Sequence, residues 1–174
     1  LQTLGSANPR WREDWLKHVE PKNKRFTPLN GALGDEQRLW LQGELRAAAD
    51  AAERVIILSH VPLHPKACDG ATMLWDCDKA LEIIAGGRGC VAAVVCGHDH
   101  RGGYFEEGGV HHITLKSPLN EEHSSAFGLV DVHPEHLELR GPALDQLLSH
   151  ELCPRDSASR GGGARRRAAS KIVW

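Results

Sequence analysis

No stretch of this sequence approaches the ~20 apolar residues that a bilayer-spanning helix needs. The longest uninterrupted apolar run, Cys90 to Cys96, is one strand's worth. The first thirty residues have no basic stretch leading into an apolar one, so no secretory address is read. The five cysteines (Cys68, Cys77, Cys90, Cys96, Cys153) are odd in number and contain no C-x-x-C pair. That excludes both a disulfide framework and a cysteine zinc knuckle, and makes a reducing, cytoplasmic compartment the expectation. Basic excess is missing as well: 21 Lys and Arg stand against 23 Asp and Glu, and Arg155, Arg160, Arg165, Arg166, Arg167 and Lys171 crowd into the tail beside Asp156. The body is therefore acidic and asks for no nucleic-acid partner. An initiating methionine is absent, and Leu1 is not expected to be a natural start. What remains, 174 residues at 41% hydrophobic and 25% charged, is the composition of one globular domain. Its unusual feature is eleven histidines.

Turn signals crowd Leu1 to Gly34, at Asn8-Pro9, Glu20-Pro21, Thr27-Pro28 and Asn30-Gly31. This stretch reads as a long connection with one short helix around Trp11 to Val19. Asp35 can cap the free amides of a helix start, and Leu41, Leu45, Ala48, Ala49 and Ala52 then share a face, which predicts a helix to about Arg54. Val55 to Leu58 is an apolar, β-branched run without alternation, the pattern of a strand buried on both faces. A second helix is predicted from about Asp76 to Gly86-Gly87 and a second buried strand at Val91 to Cys96. Helix, strand, helix, strand is the order of α/β layers, with the two strands neighbours or near neighbours in one sheet. Shorter strands follow at Val110 to Leu115, Phe127 to His133 and His136 to Arg140, the last two joined as a hairpin through Pro134-Glu135. From Pro142 a weak helix, Leu144 to Leu152, leads into a Gly- and Arg-rich segment that buries too little apolar surface to offset its ordering entropy. The expected organisation is one domain over 1–141 and a weak helix with a disordered basic tail over 142–174.

The chemistry gathers at the two strand ends. Gly97-His98-Asp99-His100 follows a buried strand, where imidazoles one residue apart can point to different sides of a bend that Gly97 permits. Such a pair can feed two adjacent metals or chelate one. Ser59-His60-Val61-Pro62 closes the other strand in the same way, so His60 is expected at the same sheet edge as His98 and His100. At the carboxyl edge of a parallel sheet ligands collect, and three histidines there suit Mn, Fe or Zn. His64 and Tyr104 are weaker candidates to touch a substrate. Two prolines separate His64 from the strand's direction, and an aromatic in the position of Tyr104 more often closes the core beneath a loop.

A strand ending in Ser-His-x-Pro and a later one ending in Gly-His-x-His resemble the fourth and fifth motifs of the calcineurin-like metallophosphoesterases. Asn30-Gly31, Glu36-Gln37 to Trp40-Leu41, Val55 to Pro62, Gly97 to His100 with Gly102-Gly103-Tyr104, and Ala126-Phe127-Gly128 are similar, more closely, to the manganese-dependent ADP-ribose/CDP-alcohol diphosphatases within that superfamily. The resemblance spans roughly Asn8 to Gly141. It implies the carboxyl-terminal half of a layered α/β/β/α sandwich, in which His60 and His98 bind one metal of a binuclear centre and His100 the other. It implies a divalent pair, manganese first with iron or zinc as alternatives. The implied reaction is attack of a metal-activated hydroxide on the pyrophosphate of a nucleoside diphosphate-linked small molecule, ADP-ribose or the CDP-choline type, with no nucleic acid and no membrane involved.

The family further requires, ahead of these motifs, the series Asp-x-His, Gly-Asp-x-x-Asp and Gly-Asn-His. That series does not precede His60. His111-His112 is no substitute, because neighbours in a strand point to opposite faces. The chain therefore reads as a half-enzyme carrying three metal ligands and no other catalytic residue, inert by itself because the carboxylates that offset two cations' repulsion are not in it. A phosphomonoester or cyclic-nucleotide substrate, and a non-catalytic histidine-rich metal-binding module, are the alternatives. Asp69, Asp76 and Asp78 read as turn and cap residues, Cys90 and Cys96 as small hydrophobes, Trp11, Trp15, Trp40 and Trp75 as packing, and Arg165 to Arg167 as a solvated tail.

Overall fold

In the computed structural model, which describes Glu20 and residues 24–119, 127–134, 136–141 and 170–173, the amphipathic stretch after Leu33 forms helix α1 (Gly34–Asp50). Leu41, Leu45 and Ala48 are its buried face. The predicted end near Arg54 overshoots. The Glu53 amide donates to the Ala48 carbonyl at 2.8 Å and the Ala52 amide to Ala49 at 3.3 Å, the pair of bonds that closes a helix through a left-handed residue. That residue is Ala52, at φ 55°. A side chain there is strained, so Ala52→Gly is expected to raise stability by ~1 kcal/mol, read as a higher urea midpoint at unchanged slope.

The start of α1 also departs from expectation. Asp35 does not cap it; Asp76 does, its carboxylate accepting from the amides of Leu33 at 3.0 Å and Gly34 at 3.1 Å. Arg38 bridges the two acids, bonding Asp35 and, at 2.5 Å, Asp76. Asp76 precedes helix α2 (Cys77–Ala85), so one side chain fixes the beginnings of both helices relative to each other. Burial would raise its pKa, and the Leu33 amide, Arg38 and the Gly34 amide together hold it below the usual carboxylate value.

Strand β1 (Val55–Leu58) pairs in parallel with β2 (Val91–Cys96), which pairs in parallel with β4 (Val110–Thr114), and β3 (Gly103–Glu107) closes the order β1-β2-β4-β3 as an antiparallel neighbour of β4. The expected neighbours β1 and β2 are neighbours. Strand β3 had no sequence signal, since Gly-Tyr-Phe-Glu-Glu neither alternates nor runs apolar. It begins at Gly103 because a Cβ there would collide with the Ala67 carbonyl. The β2 run is buried on both faces, as its composition predicts: Val91, Val94 and Cys96 pack on α1 and α2, while Ala93 faces Ile113, Leu137 and Leu139. For β1 that expectation fails. It is the edge of the sheet, half-buried along its length, and Leu58 is 78% exposed.

Leu137 and Leu139 belong to a second sheet, β5 (Leu129–Val132), β6 (His136–Arg140) and β7 (Ser170–Val173), antiparallel in the order β5-β6-β7. The molecule is therefore layered as helices, mixed sheet, second sheet. Ser170–Val173 hydrogen-bond along β6 as the third strand of this sheet, while the Gly- and Arg-rich segment before them lies outside the described residues. The weak helix at 144–152 and the short one near Trp11 lie outside the described residues. No helix among the described residues is long and apolar enough to cross a membrane.

Candidate metal centre

Ladder bonds continue past the ends of the parallel strands and gather three of them at one edge. The Ser59 amide donates to Val95, Gly97 to the His60 carbonyl at 3.0 Å, Leu115 to Cys96 at 2.8 Å and Ser117 to the His100 carbonyl at 3.2 Å. His60, at the end of β1, and His98, at the end of β2, thus come side by side with ring centroids 5.2 Å apart and planes at 72°. His100 follows across a tight turn closed by the Gly102 amide on the Asp99 carbonyl at 3.1 Å. His60 and His100 are exposed and His98 is half-buried.

The bend that aims His98 is not made by Gly97, as the sequence had implied, but by His98 itself at φ 63°. A non-glycine residue in the left-handed region costs about 1 kcal/mol or more and persists where surrounding bonds over-determine it. Those bonds are present. Asp99, buried, accepts from the Asp69 amide at 2.6 Å and Thr72 Oγ1 at 3.2 Å on one oxygen, and from the Arg101 amide and Nε on the other. Burial would raise the Asp99 pKa, and these donors hold it below the usual value. Asp99 thereby pins the turn from behind while the histidines on either side face the edge. On the other flank, His98 Nε2 lies 2.9 Å from Asn30 Oδ1. Asp99, Thr72 and Asn30 join the site through contacts that no sequence pattern shows; a carboxylate between two histidines is the available signal for the first, and Asn30-Gly31 signals a turn and one segment of the family resemblance.

The remaining expectations separate. His64 does not join the edge. It is 3% exposed, stacks on Phe105 at 4.7 Å and His112 at 4.6 Å, accepts from the Lys66 amide at Nδ1 and meets Glu107 at Nε2. Proline-directed turning of the chain after Val61 puts it under β3 and β4. Tyr104 packs against the inter-sheet cluster of Ala93, Ile113, Leu137 and Leu139 and hydrogen-bonds His111 Nδ1 at 2.8 Å, the core role weighed against substrate contact. His111 and His112 do point to opposite faces. Burial lowers the pKa of both, that of His112 to about 4 with His64 adding to the effect. Asp69 caps the short 3-10 turn Gly70–Thr72, as expected of it, whereas Asp78, in the first turn of α2, pairs with Arg25 at 2.6 Å. Trp75 packs the connection through its Nε1 bond to Thr27, whereas Trp40 is 60% exposed and does not.

Imidazoles brought side by side at one sheet edge, as His60 and His98 are, belong to the donor type that suits a borderline divalent cation. Another gathering of donors among the described residues, His133, His136 and Glu138 on the β5-β6 hairpin, is different. Its rings stack at 4.4 Å with planes 10° apart, and its three ligand atoms lie within 4.8 Å of one another. The Asp131-Val132-His133 sequence, an Asp-x-His by letter, lies in this second sheet, with Asp131 paired to Arg140.

No family model matches the chain. The manganese-dependent ADP-ribose/CDP-alcohol diphosphatase of Oryza sativa is 37% identical over 155 residues, 88% of this chain and 47% of that protein. The protein of the same name from Arabidopsis thaliana is 35% identical over 143 residues, and the human one 36% over 119. The chain is similar to these diphosphatases over most of its own length. A crystal structure of a dimetal phosphatase from Danio rerio superposes with a TM-score of 0.66 at 25% identity, covering 78% of this chain and 48% of that one. The chain thus spans about half the length, or less, of the relatives it matches.

Proposed function

We propose that residues 1–141 form the carboxyl-terminal half of a metal-dependent hydrolase that cleaves the pyrophosphate of ADP-ribose or of a CDP-alcohol, and that His60 and His98 hold one manganese ion and His100 a second. The observation that carries the reading is the convergence of His60 and His98, from two parallel strands, beside an asparagine-anchored and backbone-strained turn that presents His100. The metal and the substrates proposed are those of the manganese-dependent ADP-ribose/CDP-alcohol diphosphatases that the chain resembles.

When bound, such a pair of cations lowers the pKa of a water molecule and neutralises charge on a phosphoryl oxygen. The chain's own contribution is placement. His60 and His98 are fixed by the paired ends of β1 and β2, and His100 by its carbonyl bond to Ser117 and by Asp99 behind it. A cleft of about 370 Å³ opens beside His60, lined among others by Asn30, Gln37, Trp40 and Leu58, and gives a nucleotide an apolar wall adjacent to the histidines. No carboxylate of the Gly-Asp-x-x-Asp kind accompanies them in these residues. Three imidazoles do not offset the repulsion of two dications, so the chain by itself is inert.

The test is complementation. Purified chain is expected to release no AMP from ADP-ribose. The same chain joined to the portion of the rice relative that it does not match should release AMP and ribose 5-phosphate at least roughly a thousandfold above background, with loss on chelation and recovery with Mn²⁺. Turnover by the chain without a partner, at a rate comparable with the joined protein, would overturn the half-enzyme reading.

A further inference from the structure

We infer that Asn30 is a positioning residue that fixes the tautomer of His98 and so selects the ring atom presented to a divalent cation. This rests on the proposed role of His98 as a ligand. Asn30 is 4% exposed, and its side-chain nitrogen donates to two backbone carbonyls, Arg25 at 2.7 Å and Ala71 at 2.7 Å. Carbonyls only accept. The amide therefore cannot be flipped without setting its oxygen against both, and Oδ1 must be the atom that faces His98 Nε2 at 2.9 Å. An amide oxygen likewise only accepts, so Nε2 carries the proton. In the neutral ring the lone pair then belongs to Nδ1, and Nδ1 is the ligand atom.

The chemistry explains an amide in preference to a carboxylate. A carboxylate at this position would place a second oxygen against the two carbonyls and would favour the imidazolium, which competes with the cation. A neutral acceptor orients the ring without that bias. Asn30 is itself held from both sides. Its backbone N–H donates to the Thr27 carbonyl, the following Gly31 carbonyl accepts from the Trp75 amide at 2.9 Å, and Trp75 Nε1 donates to the same Thr27 carbonyl. The connection ahead of α1 is thus part of the metal centre, reaching across 68 positions of sequence to act on His98.

The test uses the full chain with ¹⁵N-labelled histidine, at a pH where the rings are neutral. Long-range ¹H–¹⁵N spectra should show His98 as the Nε2–H form with that proton protected from exchange. Asn30→Ala should lose the protection, and the Mn²⁺ concentration that half-broadens the His98 ring signals should rise about tenfold or more, the usual effect of removing a partner behind a ligand. A His98 ring protonated at Nδ1 in the unaltered chain overturns the inference without needing a variant, so a poorly folding Asn30→Ala does not protect it. Unchanged Mn²⁺ dependence in a folded Asn30→Ala overturns it as well. If Mn²⁺ leaves His98 unbroadened in the unaltered chain while Nε2–H stays protected, the ligand reading fails and the hydrogen bond stands.

Discussion

Replacing His98 with alanine, in the chain joined to a relative's remaining half, is expected to lower kcat by about a hundredfold or more, with His100→Ala and His60→Ala alongside it. His111→Ala should stay within about threefold of the unaltered rate per folded molecule. The contrast follows from direction. His60 and His98 meet at the carboxyl edge of the parallel strands, and His100 stands one turn on, whereas His111 is engaged by Tyr104 between the sheets. On the proposed ligand roles, losing one of these histidines would disturb both the acidity of an activated water and its line of attack, so the effect would fall on the rate more than on KM. His64→Ala and His112→Ala should lower stability instead, because each leaves a gap in the buried stack with Phe105. Metal content and kcat measured together separate the two groups. A His111→Ala protein depleted of metal, beside a His100→Ala protein with a full complement and ordinary rate, would show the centre to be elsewhere.

The second large effect is on stability. Asp76→Ala is expected to cost about 2–4 kcal/mol, since it removes two amide caps and strands Arg38 without its better-buried partner. The Asp76 and Arg38 side chains are 13% and 15% exposed, so water replaces the lost bonds poorly. The pH dependence has a definite sign. The folded-state pKa of Asp76 lies below its unfolded value, so its contribution is fully present above about pH 4 and is lost as pH falls through the folded value. Urea midpoints at pH 7 and pH 3 should differ less in Asp76→Ala than in the unaltered protein. Equal acid sensitivity in both would assign the effect to other carboxylates.

Local and nearest-neighbour features were legible in the sequence to different degrees. Val91 to Cys96 declared itself as a doubly buried strand because composition alone specifies that environment, and the histidines at the strand ends followed from the rule that such strands deliver their next residues to one edge. The identical pattern at Val55 to Leu58 is only half-buried, because among the described residues β1 has a strand on one side alone. Asp35 was the plausible cap by adjacency, and Asp76 took the position from 42 residues away, which no local rule anticipates. Asn30 looked like a turn residue for the same reason. Its function depends on a partner that only the folded chain brings near, whereas His98 was visible because its neighbours along the chain already carried the motif.

Composition would have made residue 141 the natural place to end a shortened protein. The pairing of β7 with β6 argues otherwise. His136 lies opposite Val173, Leu137 opposite Ile172, Glu138 opposite Lys171 and Leu139 opposite Ser170, so a deletion from Pro142 turns the middle strand of the second sheet into an open edge. The two leucines of that strand are each 1% exposed and form the floor on which Ala93 and Ile113 of the first sheet rest. Trimming the tail for solubility would thus loosen the backing of β2, the strand that delivers His98, and expose backbone amides ready to pair with another molecule.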